Sequence, residues 1–225
     1  MDIITGNLGT NTRHTATPSE PMLCYAHDFD KNETTDPVLA HHENGKIYPK
    51  MRKFVMQQQM PPIKKEFLKA HDYAAATIED MFSKKGLKDA NVFKAYTLET
   101  SIWVNNNGTF TQKAMPIQAQ MSPVFGIATY DANKDGHLDV LMVGNKYGLE
   151  VETSPCLSSN GNLFYGDGNG NFSWVNNSKS GFWATKEARD LLIISDQNQQ
   201  PIIIVSNNDD NAQVFNKSNK GNNIQ

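Results

Sequence analysis

The nine residues from Asp131 to Asp139, DANKDGHLD, carry the most specific chemistry in this sequence. Side-chain oxygens at positions one, three, five and nine can converge on one cation, if glycine at position six lets the chain turn and the carbonyl of position seven points inward. This set of oxygen ligands suits Ca²⁺ better than Zn²⁺, which prefers nitrogen and sulfur, or Mg²⁺, which retains more water. The predicted ligands are Asp131, Asn133, Asp135, the carbonyl of His137, and Asp139.

The surroundings of this loop distinguish it from an EF-hand. An EF-hand needs a bidentate Glu at position twelve and a helix on each side, whereas position twelve here is Met142. The flanking sequences, GIATY and DVLMV, are typical of β-strands. We therefore predict a strand-loop-strand calcium site that Asp139 closes. A solvated polar turn without metal is the alternative interpretation.

A second acidic loop, DFDKNETTD, runs from Asp28 to Asp36. It places oxygen-bearing residues at the same positions, but Glu33 replaces the glycine at position six. Because a residue with a Cβ has a steric cost in a left-handed turn, we expect this loop to bind more weakly or to be distorted. The predicted ligands are Asp28, Asp30, Asn32, the carbonyl of Thr34, and Asp36.

Internal repetition indicates the architecture that positions these loops. DVLMVGNKYG, from Asp139, resembles DIITGNLG, from Asp2, and IWVNNNGTF resembles LFYGDGNGNF as a hairpin with an Asn- and Gly-rich turn. Further strands are predicted at residues 124–130, 190–195 and 201–206. Short strands and turns at this density indicate an antiparallel sandwich, barrel or propeller, and the repeats favour the propeller. By the same comparison, Asp2 is predicted to close a loop whose earlier ligands precede Met1, so that the chain would begin inside a repeat.

Residues 51–93 interrupt the β pattern. Apolar residues recur there at helical spacing, so we predict a helical insertion, with a boundary at Pro61 and Pro62 and a helix end at Gly86. It is interpreted as a cap that packs on a sheet, with a partner-binding element as the alternative. The predicted organisation is a blade segment at 1–50, the insertion at 51–93, blades at 94–215 and a disordered tail at 216–225.

Composition excludes several classes of partner. The 21 Lys and Arg residues against 24 Asp and Glu residues give a net charge of −3, which leaves no broad basic surface for nucleic acid. The longest apolar runs, at residues 191–194 and 202–205, are far below the roughly 20 residues of a membrane-spanning helix. The two cysteines, Cys24 and Cys156, are predicted to be unpaired thiols, with a single disulfide as the alternative.

The loop D-x-[DN]-x-D-G-x-x-D followed by an apolar strand resembles the FG-GAP or VCBS repeats of integrin-α-like β-propellers. Phe125-Gly126 and the turn residues 169–172 also resemble that family. The resemblance covers nearly the whole chain and is to the C-terminal part of large bacterial repeat proteins. It implies an all-β fold, a partial β-propeller of FG-GAP/VCBS-type blades with a helical insertion. It also implies Ca²⁺ in the loops, a location outside the cell or at its surface, and protein or glycan partners.

A calcium-binding scaffold is therefore the predicted function, and a metal-dependent hydrolase on the propeller face is the alternative. The sequence contains no H-E-x-x-H, G-x-S-x-G or P-loop motif. Glu150 and Glu152 have the spacing of residues on one strand face and could form an acid–base pair, although a solvated loop rim explains them as well.

Overall fold

The computed structural model describes residues 1–149 and 153–216, which belong to two compact units. The first unit contains Met1–Thr12 together with the chain from Glu99 onward, and the second contains Arg13–Leu98. Antiparallel strands are the predominant regular structure of the described residues, which also contain a few short helices. The prediction of a mainly β fold built from antiparallel strands is therefore confirmed.

The elements of the described residues follow one another in chain order. The strands are β1 (Ile3–Thr5), β2 (Met22–His27), β3 (Asp36–Glu43), β4 (Lys46–Pro49), β5 (Asn91–Ala95), β6 (Ser101–Asn106), β7 (Thr109–Ala114), β8 (Val124–Tyr130), β9 (Asp139–Gly144), β10 (Asn162–Gly166), β11 (Phe172–Val175), β12 (Ala188–Ser195), β13 (Pro201–Asn207) and β14 (Asp210–Asn216). The α-helices are α1 (Lys53–Gln59), α2 (Pro62–Glu66), α3 (Ala70–Ala75), α4 (Ile78–Met81), α5 (Lys84–Asp89) and α6 (Asn177–Ser180), and a 3₁₀ helix spans Ile117–Gln120.

Three sheets make up the first unit. Sheet A has the strand order β1-β6-β7, sheet B has β11-β10-β9-β8, and sheet C has β12-β13-β14. Each pair of neighbouring strands is antiparallel. The hairpins predicted from the Asn- and Gly-rich turns are β6-β7 and β10-β11, and both are confirmed.

The sheets of the first unit pack face to face, with sheet B in the middle. One face of sheet B, with Val140, Met142 and Phe164, packs on Ile102 of sheet A. Its other face packs on sheet C through a cluster that includes Leu141, Val143 and Leu163 of sheet B and Leu191, Ile203, Val205 and Phe215 of sheet C. Strand β9 is therefore buried on both sides, which explains its continuous run of apolar residues.

The second unit contains one sheet and the helical segment. Sheet D has the order β4-β3-β2-β5, and its inner face contributes Leu23, Val38 and Ala40 to a core with the helices. The helical partners in that core include Met56, Met60, Ile63, Tyr73, Ile78 and Met81. The segment predicted as helical thus packs on a sheet. Within the described ranges, no helix has the length and apolar character needed to cross a membrane.

The predicted element boundaries agree with the structure in part. Helix α1 ends before Pro61 and α2 begins at Pro62, as predicted. The predicted helix end at Gly86 is wrong: Gly86 lies inside α5, where its N–H donates to the Ser83 hydroxyl that caps that helix. The polar segment after Asn207 gave no strand prediction, yet β14 forms there because Phe215 is buried in the core.

Candidate calcium sites

Each acidic loop lies between two paired antiparallel strands. Loop 1, residues 28–36, connects β2 to β3, and loop 2, residues 131–139, connects β8 to β9. The closing aspartate of each loop is the first residue of the second strand, where it pairs with the last residue of the first strand: Asp36 with His27, and Asp139 with Tyr130. The predicted strand-loop-strand arrangement is therefore present in both.

The two loops have the same pattern of left-handed residues. Position four has a φ of 62° at Lys31 and 65° at Lys134. Position six has a φ of 68° at Glu33 and 87° at Gly136. Glu33 was expected to make loop 1 bind more weakly or to distort it. Its backbone adopts the left-handed conformation that the glycine has in loop 2, and weaker binding stays a prediction.

The hydrogen bonds inside the loops also correspond position by position. The aspartate at position one accepts from the N–H groups of positions five and six, the residue at position five accepts from position seven, and the closing aspartate accepts from position two. In loop 1 the donors and acceptors are Asn32 N–Asp28 Oδ1 (3.0 Å), Glu33 N–Asp28 Oδ2 (2.9 Å), Thr34 N–Asn32 Oδ1 (2.8 Å) and Phe29 N–Asp36 Oδ2 (3.2 Å). In loop 2 they are Asp135 N–Asp131 Oδ1 (3.1 Å), Gly136 N–Asp131 Oδ2 (2.9 Å), His137 N–Asp135 Oδ1 (2.8 Å) and Ala132 N–Asp139 Oδ2 (2.8 Å).

Among the predicted ligand residues, the closing aspartates are the buried ones of their loops. Asp36 is 2% exposed and Asp139 is fully buried. Burial raises the pKa of the Asp139 carboxyl above its ordinary value, although backbone N–H groups that donate to it act in the opposite direction. A cation close to Asp139 would therefore stabilise the ionised form of its carboxyl group, which burial disfavours.

Three carboxylates converge in loop 1. Asp28, Asp30 and Asp36 each offer an oxygen, and these oxygens lie within 4.8 Å of one another. Asp30 Oδ1 is buried without a hydrogen-bond partner. A buried carboxylate oxygen without a donor is costly, so this atom lacks the partner that a cation would supply.

Loop 2, all of whose residues are described, does not bring three carboxylates within 4.8 Å of one another as loop 1 does. Asn133, at the position of Asp30, donates its side-chain N–H to Asp135 Oδ2 (2.8 Å) and accepts from Asp135 N (2.9 Å). The N–H of His137 is the main cause that lowers the pKa of Asp135. The His137 side chain lies against Gly168, where a Cβ would be 2.5 Å from Nδ1, and the predicted ligand at this position is the His137 carbonyl.

One contact of loop 1 could not be found from sequence spacing. Gln59 in α1 donates through Nε2 to Asp36 Oδ1 (3.3 Å) and to the carbonyl of Pro37 (3.3 Å). The helical segment thus helps to orient the closing aspartate. Gln59 lies 23 residues from Asp36 in the chain, and no local pattern marks it.

The repeat comparison predicted that Asp2 corresponds to Asp139, and the hydrogen bonds agree with that correspondence. Asp139 Oδ1 accepts from Gly166 N at 2.9 Å, and Asp2 Oδ1 accepts from Asn105 N at the same distance. The strands that follow have equivalent registers, Ile3 with Trp103 in sheet A and Val140 with Phe164 in sheet B. Sheets A and B are therefore built on one pattern.

The alternative enzymatic interpretation depends on Glu150 and Glu152. Glu150 and Glu152 lie outside the described residues. The sequence also contains two adjacent histidines, His41 and His42, which occupy consecutive positions of β3, with His41 Nε2 at 3.5 Å from Glu43 Oε2. Cys24 and Cys156 are free thiols, as predicted.

The shared loop conformation gives a prediction for position six. Replacing Glu33 with glycine is expected to raise the free energy of unfolding by about 0.5 to 1 kcal/mol, because it removes the steric cost of a Cβ at positive φ but adds chain entropy to the unfolded state. Differential scanning calorimetry in chelator measures this. Glu33→Ala is the matched control, since it removes the carboxylate but keeps the Cβ. Equal stability of the two variants would mean that the gain is electrostatic and not conformational.

Comparison with protein-family models, with curated proteins and with solved structures finds no match to this chain. The two loops are therefore interpreted from their own geometry and from the repeated construction of the sheets.

Proposed function

We propose that this chain is a calcium-binding repeat module that acts as a binding or structural scaffold for protein or glycan partners. The observation that carries the proposal is the convergence of Asp28, Asp30 and Asp36, with Asp30 Oδ1 buried and without a donor. The backbone conformation and the internal hydrogen bonds of loop 1 recur in loop 2.

Electrostatics favours a cation in loop 1. Two like charges about 4 Å apart repel by about 1 kcal/mol in bulk water and by about 4 kcal/mol at an effective dielectric constant near 20. Three converging carboxylates are therefore costly unless a cation neutralises them. Oxygen ligands alone, at flexible spacing, favour Ca²⁺ over Zn²⁺.

The stacking of sheets supports a partial β-propeller of FG-GAP/VCBS type as the architecture. In sheets A and B, an aspartate at the start of the strand, Asp2 just before β1 and Asp139 as the first residue of β9, accepts the same hydrogen bond. In sheets B and C, the first strand carries an irregularity at its start, before Gly126 in β8 and before Asp190 in β12. Radially repeated antiparallel sheets that pack face to face are the construction principle of propellers.

The loops also favour a location outside the cell or at its surface. Calcium loops of extracellular modules bind with dissociation constants on the order of 10⁻⁴ to 10⁻³ M, which suits short loops that keep part of their ligands exposed. In such a module calcium stiffens the connections between strands, and the exposed sheet faces and loops are left for partners.

Calorimetric titration of the chelator-stripped protein with CaCl₂ tests the proposal. We expect saturable binding to both loops and a melting temperature that rises with calcium, because an ion that binds only the native state stabilises it by mass action. Asp30→Ala and Asp135→Ala should each remove one site, in loop 1 and loop 2 respectively.

The controls separate a calcium site from general attraction of cations. MgCl₂ at the same ionic strength should give little heat, since Mg²⁺ requires a tighter octahedron. Asp89→Ala, at the end of α5 and outside both loops, should leave the titration unchanged. Absence of both binding heat and a thermal shift would show that the loops are plain turns.

A further inference from the structure

Sheets A, B and C have equivalent faces, which we define from sheet B. Its front face carries Val140, Met142 and Phe164, and its back face carries Leu141, Val143 and Leu163. The registers extend these faces to the other sheets. Val140 pairs with Phe164, as Ile3 pairs with Trp103 in sheet A and Ile203 with Phe215 in sheet C. Leu141 pairs with Leu163, as Ile4 pairs with Ile102 and Ile204 with Val214.

Back faces pack on front faces twice within the first unit. The back face of sheet A, with Ile4 and Ile102, packs on the front face of sheet B. The back face of sheet B packs on the front face of sheet C, with Ile203, Val205 and Phe215. One front face, that of sheet A, and one back face, that of sheet C, take no part in these two contacts.

The back face of sheet C is an exposed aliphatic surface. Leu192 is 59% exposed, Val214 57% and Ile194 41%, and Ile202 and Ile204 beside them are partly buried. Leu192 pairs with Ile204 and Ile204 with Val214, so these side chains form one row across the three strands. Contiguous apolar surface of this kind on a soluble domain is typical of an interaction site.

The front face of sheet A is its structural counterpart. Ile3 and Phe110 are each 42% exposed, and Trp103 is half-buried. Trp103 occupies the register position of Phe164 and Phe215, each of which is an aromatic residue of a packed front face. The cross-strand positions of this face on β6 and β7 carry no charge: Ser101, Trp103, Asn105, Phe110, Gln112 and Ala114.

We propose that copies of this chain associate head to tail, with the front face of sheet A of one copy packed on the back face of sheet C of its partner. This contact repeats the two that already exist inside the first unit, and it pairs the aliphatic row of sheet C with the Trp103 face. The interface is heterologous, so it builds a closed ring or an extending chain of copies and not a symmetric pair.

Multi-angle light scattering and analytical ultracentrifugation over a concentration series test the association. The wild-type chain is expected above the 25.1 kDa of one copy, with a mass that rises with concentration. Val214→Arg and Ile3→Arg each block one side of the contact and should weaken association by about tenfold or more, since the arginine would be buried without a partner. Gln197→Arg, in the exposed β12–β13 turn, adds the same charge and should assemble like the wild type.

Mixing the two blocked variants gives the decisive result. Val214→Arg retains an intact sheet A face and Ile3→Arg retains an intact sheet C face, so the mixture should form a one-to-one pair that cannot grow. Leu192→Arg replaces Val214→Arg if the latter fails to fold, as judged by circular dichroism. A wild-type chain that stays a single copy, an Ile3→Arg variant that assembles normally, or a mixture that does not pair would each overturn the proposal. Calcium titration of the same variants keeps this result separate from the test of the loops.

Discussion

Replacing Asp139 with alanine is expected to destabilise the first unit by about 3 to 5 kcal/mol in the absence of calcium. The Asp139 carboxylate is fully buried and accepts from Ala132 N, Asn133 N and Gly166 N. Alanine would leave these N–H groups without their acceptor, and each unsatisfied buried donor costs about 1 to 3 kcal/mol. The carboxylate thus holds loop 2 to strand β10 before any ion binds.

Denaturant unfolding followed by tryptophan fluorescence measures this effect selectively. All three tryptophans, Trp103, Trp174 and Trp183, belong to the first unit and report its unfolding. Asp135→Ala is the matched control, because it removes the same carboxylate from an exposed position of the same loop. It should lower calcium affinity and leave the stability of the ion-free protein close to wild type. Similar stability of the two variants in chelator would contradict the structural role of Asp139.

The strand-loop-strand placement of both acidic loops could be predicted from sequence because it depends on local spacing. A turn that needs positive φ at positions four and six, with acceptors at positions one and five, is specified by nine consecutive residues. The replacement of glycine by Glu33 was expected to disturb loop 1, but the strand pairing of His27 with Asp36 fixes both ends of the loop. Paired strands on either side restrict the turn more strongly than the preference of one residue.

The features that sequence did not predict depend on distant contacts. Gln59 reaches Asp36 only because α1 packs on sheet D, and no pattern within the loop encodes that contact. Strand β14 has a polar sequence, and the burial of Phe215 against sheet B stabilises it. In β13 the continuous apolar run from Ile202 to Val205 shows no alternation in the sequence, so neither its buried face nor the sheet that covers that face could be predicted.

The repeated Gly-Asn at the ends of β1 and β9 has a steric origin. A Cβ at Gly144 would lie 1.6 Å from the carbonyl oxygen of Pro123, and one at Gly6 would lie 2.5 Å from the carbonyl oxygen of Val124. Both glycines therefore lie where the segment that leads into β8 crosses the end of a strand. The sequence repeats this glycine because, at both positions, the backbone of another segment lies too close to the chain to admit a Cβ.

Gly144→Ala is accordingly expected to destabilise the first unit by about 3 kcal/mol or more, because the pairing of Gly144 with Val124 must open to admit a methyl group. Gly148→Ala is the matched control. A Cβ there meets no atom within 4 Å, so its stability should change by less than about 1 kcal/mol. Tryptophan-detected unfolding of both variants in chelator measures the difference. If Gly144→Ala unfolded at the wild-type denaturant concentration, the chain leading into β8 would not cross β9 at this distance, and the steric explanation of the Gly-Asn repeat would be wrong.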